Sequence, residues 1–251
     1  MTRHIVAIAL LSLAAALPAG GAGHVEYQSP GFCLTVTPEG VLQDIRADSV
    51  TLIQRAFLFG SYPADTTRRD TRFFQGSGTT RATITQPVPG TMLVSLNDAI
   101  LGNGEHQQGI KYRQRITVTP YRIDVAMEVE TLVPMASNYW IFNSLHQVSL
   151  HFAGHGFRYG QDGLGVVPAE YDKGASIPST TNLAFSGEKG VLSFIAGPDT
   201  DIVTMDARAW GGDHLDMRIF PKTQWQTAQV PYPAGSKFKW SYAIEYKPHP
   251  R

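Results

Sequence analysis

The side chains best suited to chemistry in this sequence are aromatic rings flanked by amides and acids. Tyr139 and Trp140 stand between Asn138 and Asn143 in SNYWIFNSLHQ (137–147), while Trp210 and Trp225 stand close to Asp213, His214, Gln224 and Gln226. All four rings fall in or beside segments that read as loops. Aromatic faces suit the apolar C–H faces of sugar rings, and neighbouring amides and carboxylates suit the hydroxyls. The competing reading is that each ring closes an end of a β-sandwich; their grouping favours a sugar.

Histidines at 146, 151 and 155 invite a metal reading. In a strand, however, His146 shares a face with Val148, Leu150 and Phe152, while His151 points the other way. One ion would struggle to reach both, so the expectation is a core or cleft histidine, with no metal and no cofactor. The motifs H-E-x-x-H, G-x-S-x-G, the Walker loop, a post-strand G-x-G-x-x-G and C-x-x-C pairs are all missing. Zincin, serine-hydrolase, nucleotide-binding and zinc-ribbon readings lose their usual support.

The elements that must position these residues are strands. Apolar and polar residues alternate with period two along most of the chain, which predicts an all-β protein. The clearest pair is 110–119 and 122–132, joined at Pro120 and Tyr121. Further strands are expected near 32–37, 41–46, 52–61, 82–88, 91–97, 141–152, 183–186, 191–196, 202–206, 214–220 and 237–247. So many strands imply two packed antiparallel sheets. The connections 62–80, 98–109, 153–182 and 207–213 are longer than hairpins need, and such loops commonly carry binding sites. The run 64–72, ADTTRRDTR, reads as a solvated loop.

Residues 1–23 combine Arg3, an apolar run from Ile5 to Leu17 and small residues suited to cleavage, as in a secretory signal peptide. The remaining residues, 24–251, are expected to form one domain, secreted or periplasmic, with no membrane span. Basic and acidic residues number 21 each, which excludes a strong electrostatic pull toward nucleic acid or anionic membrane. Cys33 is the only cysteine, so no intramolecular disulfide forms and stability rests on the core. Oligomeric state is not encoded in any of these features.

The order of segments resembles the aldose 1-epimerase, or galactose mutarotase-like, family. GEHQQGIKYRQRITVTPYRIDVAMEVETLVPMASNYWIFNSL (104–145) follows that family's glycine, long hairpin, proline and N-H-x-Y-F-N motif, with Asn138, Phe142 and Asn143 matching. LDMRIFP (215–221) is similar to its L-E-P-Q-x-x-P stretch, and YPAGSKFKWSYAIEY (232–246) to its closing strand pair. The resemblance covers roughly the C-terminal two-thirds and implies an antiparallel β-supersandwich.

It also implies where chemistry would sit, and how it has changed. Tyr139 stands where the family has its catalytic histidine, and Asp216 where it has the glutamate base. Tyrosine is a poorer acid near neutral pH and aspartate has the shorter reach, so ordinary mutarotation is not expected. The resulting expectation is a carbohydrate-binding or carbohydrate-processing protein whose partner is an oligo- or polysaccharide. Its candidate catalytic residues are Tyr139, His146 and Asp216; its candidate substrate contacts are Asn138, Trp140, Asn143, Arg158, Trp210 and His214. Elimination from uronic-acid polysaccharides by Tyr139 with Asn143, His146 and Arg158, hydrolysis involving Asp213 and Asp216, and a non-catalytic cell-envelope module stand as alternatives.

Overall fold

A computed structural model describes residues 23–61, 72–102, 107–135, 142–223 and 232–250. Period-two patterning produces strands throughout, every pairing is antiparallel, and the strands form two facing layers. The first layer contains β1 (Val25–Gln28), β2 (Cys33–Val36), β3 (Leu42–Ala47), β4 (Val50–Ser61), β10 (Phe142–Ser149), β13 (Ile177–Thr180), β16 (Thr200–Asp206) and β17 (His214–Pro221). Its spatial order is β1–β2–β3–β4–β10–β17–β16–β13.

The second layer runs β6 (Thr83–Val88), β7 (Thr91–Gly102), β8 (Gln107–Thr119), β9 (Arg122–Thr131), β18 (Lys237–Pro248), β15 (Gly190–Ala196), β14 (Asn182–Ser186), β11 (Gly156–Tyr159) and β12 (Gly163–Val166). Short β5 (Arg72–Phe74) pairs with both β4 and β7 and joins the two layers.

The core lies between them. From the first layer Phe142, His146, Val148, Leu215, Met217 and Ile219 point inward; from the second come Ile123, Val125, Met127, Phe194, Trp240 and Ile244. The Phe142 ring stacks on Trp240 at 5.7 Å, and the Trp240 indole N–H donates to Ser144 Oγ at 3.1 Å. The layers are thereby held in one register.

The expected hairpin is present, with Thr119 opposite Arg122 across the two-residue turn. The stretch 153–182, expected to be a long loop, instead contains β11, β12 and β13. Alternation is faint there because β12 reads GLGV, yet its glycines have a structural cause. A Cβ on Gly163 would come within 2.5 Å of the Tyr159 ring, and one on Gly165 within 2.3 Å of the Phe157 ring. Aromatic rings on β11 lie across the neighbouring strand and leave no room for side chains.

Two further differences concern boundaries. β10 stops at Ser149, whose hydroxyl accepts the His151 N–H at 3.1 Å and caps a 3₁₀ turn over Leu150–Phe152. The connection after Ser61 includes β5 and a 3₁₀ turn at Gln75–Ser77. Gln75 is fully buried there: its amide donates to Gln114 Oε1 (2.7 Å) and the Glu39 carbonyl (2.8 Å), and accepts the Leu58 N–H (2.8 Å).

Candidate functional site

Residues 56–59, AFLF, break the alternation of β4 because this strand is covered on both sides. Its inward residues enter the main core. Its outward Phe57 and Phe59 form a second apolar cluster with Val41, Leu145 and Phe74. The outer face of β4, β10 and β17 is therefore where side chains meet away from the sandwich interior.

Register arranges that face in rows across the three strands. Gln147 lies between Arg55 and Asp216, Leu145 lies between Phe57 and Arg218, and Asn143 lies beside Phe59. Alternation along β17 puts His214, Asp216 and Arg218 on this side, opposite Leu215, Met217 and Ile219. The pattern H-x-D-x-R is the local sequence device that places an imidazole, a carboxylate and a guanidinium together.

Asp216 is 6% exposed and shares its two oxygens between cations. Oδ1 lies 3.0 Å from His214 Nε2, and Oδ2 lies 3.5 Å from Arg218 Nη2. The other His214 nitrogen, Nδ1, is 3.2 Å from the exposed Asp213 Oδ1. Carboxylates at both nitrogens favour the imidazolium, and the bond to Asp216 is the largest reason that the His214 pKa is raised. Gln147 Nε2 approaches His214 Nε2 to 3.4 Å.

Aromatic rings underlie the two guanidiniums. Arg55 sits over Phe57 at 5.1 Å and Arg218 over Phe59 at 5.8 Å, with Phe74 packed against both rings. Burial pushes the Arg218 pKa down, and the charge of nearby Arg72 adds to that push, while Asp216 opposes it. Beside them Asn143 is fully buried with neither amide atom hydrogen-bonded. Such a group costs about 1–3 kcal/mol of unrecovered desolvation.

His146 occupies the opposite side of β10. It is fully buried, with its ring edge-on to Tyr242 (5.1 Å) and Phe194 (5.6 Å) and neither nitrogen in a hydrogen bond of normal geometry. Burial lowers its pKa to about 4, only weakly opposed by the backbone of Met217 and Ser144. Strand parity thus separates His146 from Asn143 and Asp216 by the thickness of the sheet. It cannot exchange protons with a ligand on their side.

Of the other residues singled out in the sequence, Asp216, His214 and Asn143 share the outer face. Arg158 is exposed on β11 in the second layer, so the set Asn143, His146 and Arg158 does not converge. Trp210 is 55% exposed at the end of the 3₁₀ turn Ala207–Trp210, just before β17. Asn138, Tyr139, Trp140, Gln224, Trp225 and Gln226 lie outside the described residues. Sequence reasoning missed Arg55, Gln147 and Arg218; the signals were the unbroken AFLF run and the R two places after D in LDMRIFP.

No protein-family profile matches the chain, and no curated protein sequence is found to match it. Solved structures do match. Galactose 1-epimerase from Lactobacillus acidophilus superposes with a TM-score of 0.54 at 9% identity, over 90% of this chain and 95% of that one. An aldose epimerase homologue from C. elegans gives 0.50 at 10% identity, over 92% and 100%. An α-mannosidase from Enterococcus faecalis gives 0.54 at 6% identity, where 90% of this chain corresponds to 29% of the larger enzyme. The chain has the galactose mutarotase-like supersandwich fold. That architecture is the one the segment order from 104 to 246 resembles.

Proposed function

We propose that the protein is exported and binds a carbohydrate on the outer face of β4, β10 and β17, with Asp216 as a proton acceptor and His214 as its charged partner. The observation that carries this reading is the Asn143 amide, buried with donor and acceptor both unused beside Phe59, on the same outer face of β10 as Gln147, whose row holds the Asp216–His214 pair about four residues further along the strand. An amide of that kind matches a sugar hydroxyl, which donates and accepts at once, while the rings match the sugar's C–H face. Support also comes from fold neighbours named as a galactose 1-epimerase and an α-mannosidase. The Tyr139 substitution argues against ordinary mutarotation, so the reading is of altered sugar chemistry or of binding alone.

The test combines binding and turnover. Asn143→Leu removes the unused amide while keeping its branched shape; weaker retention of oligosaccharides with stability equal or higher supports the reading. Mass spectrometry of neutral and uronic polysaccharides after incubation with the protein separates elimination, hydrolysis and no reaction. A second reading, a non-catalytic envelope module, draws support from the coverage of the face, where Phe57, Phe59 and Leu145 are each below 10% exposed. Under it Asn143→Leu raises stability and changes no sugar binding.

A further inference from the structure

Each layer ends in two edge strands, β1 and β13 in the first and β6 and β12 in the second. An open edge presents unpaired N–H and C=O groups to any strand that meets it, and a charge or a proline on the edge discourages that pairing. β1 carries Glu26, β6 carries Pro87 and β13 carries Pro178. β12 reads GLGV and carries neither.

The register identifies the backbone groups left over. The Val167 N–H donates to the His155 carbonyl at 2.9 Å, and the same ladder sets Gly165 opposite Phe157 and Gly163 opposite Tyr159. The bonds of an antiparallel pair come from alternate residues, so the backbone of 163, 165 and 167 turns toward β11. That of Leu164 and Val166 turns the other way, where no described strand pairs with it. Their side chains are also the most exposed large apolar groups among the described residues, at 71% and 63%.

The strand is complementary to itself. Placed antiparallel about Gly165, Leu164 stands opposite Val166 of a second copy and exchanges both backbone hydrogen bonds with it, and Val166 does the same with that copy's Leu164. The side chains then meet as cross-strand apolar pairs. The two Gly165 residues face one another at the close, non-hydrogen-bonded position. The Phe157 ring lies across that glycine, where a Cβ would come within 2.3 Å of it. A formal net charge of zero at pH 7 leaves no net repulsion between copies.

We propose that β12 is the docking edge for a second copy of this chain, joining the second layers of two sandwiches into one continuous antiparallel sheet. So short a strand buries less than the roughly 1,200 Å² at which stable complexes begin, so the dimer forms and dissociates with concentration.

The experiment is sedimentation velocity of the full chain from about 10 µM to about 1 mM, with amide hydrogen exchange at both ends of that range. The expected result is a dimer that grows with concentration while the Leu164 and Val166 amides gain protection. Leu164→Lys puts a charge on the edge, and Val166→Pro removes an N–H that the β11 ladder does not use. Each should weaken association at least about tenfold, with the circular dichroism of the monomer unchanged. A monomer throughout the range would overturn the proposal and leave the edge to a strand of a different protein. A dimer unmoved by both variants would overturn it too, because that dimer uses another face.

Discussion

Replacing His146 with leucine separates a core histidine from a catalytic one. The wild-type imidazole has a pKa of about 4 in the folded protein because it is enclosed by Phe194, Tyr242 and the sheet. In the unfolded chain it returns to about 6.5, so unfolding takes up a proton between those values. For a histidine depressed in this way, stability is full above about pH 6.5 and is lost as pH falls toward 4. Linkage between about pH 7 and about pH 4.5 gives a loss of about 2.5 kcal/mol from this residue alone. Leucine cannot take up that proton. At neutral pH the gain from deleting two unpartnered ring nitrogens and the loss of two edge-on aromatic contacts should cancel to within about 1 kcal/mol.

Urea unfolding followed by tryptophan fluorescence at both pH values reads the difference directly. Other titrating groups affect both proteins alike, so comparing the two pH dependences isolates His146. His146→Leu should be the more stable protein at acid pH by about 2.5 kcal/mol and should keep its sugar binding. Parallel loss of stability in the two proteins would refute the burial argument. Loss of turnover with stability intact would show that His146 acts in chemistry despite its position.

Three further outcomes follow from the same structure. The raised pKa of His214 contributes stability fully present below about pH 6.5 and lost as pH rises through its folded value; Asp216→Asn should bring its NMR titration back toward about 6.5, and an unmoved titration would refute the Asp216–His214 pairing. Gln75→Leu strands the Leu58 N–H and should cost about 3 kcal/mol, lowering Tm by roughly 6–12 °C in a scanning experiment; a fall below about 2 °C would mean that water replaces the amide. Arg208, held by Asp206 at 2.7 Å, donates to the Pro168 and Ala169 carbonyls at 2.9 and 2.8 Å. Arg208→Ala should speed hydrogen exchange in 167–176 at little global cost, and unchanged exchange there would show that the clamp is redundant.

The fold was legible wherever one side of a strand faces the core and the other faces water. The hairpin of β8 and β9 and the long β18 alternate cleanly, and their expected boundaries lie within a few residues of those observed. Legibility failed where alternation has another cause or none. In β11 and β12 the packing partner of an aromatic ring is a glycine, which carries no hydrophobic signal. In β4 both faces are covered, so residues 56–59 read as one apolar run and hide which of them point outward, while in β10, also covered on both faces, polar residues are buried on either side and blur the alternation.

The candidate site was partly legible for the same reason. Asp216, His214 and Asn143 sit on one face because β10 and β17 are regular strands in register. Arg55 belongs to a strand far away in sequence, and only pairing with β10 brings it to Gln147. Period two also predicts that His146 and Asn143 diverge, since they are an odd number of residues apart; the strand pattern carried that information while the motif resemblance pulled the two together.

The order of pairing bears on how the chain reaches its folded state. The centre of the first layer joins Phe59 to Asn143, and the centre of the second joins Met127 to Trp240. Both seams therefore close long loops, and although the first layer has its middle once β10 is made, the second lacks its own until the last long strand, β18, has been made. Such topologies pay chain entropy early and gain contacts late, so folding should be slow, on the millisecond-to-second scale or beyond. A nascent chain would remain open until β18 leaves the ribosome, and shortening it by that one strand should abolish the sandwich rather than fray its edge.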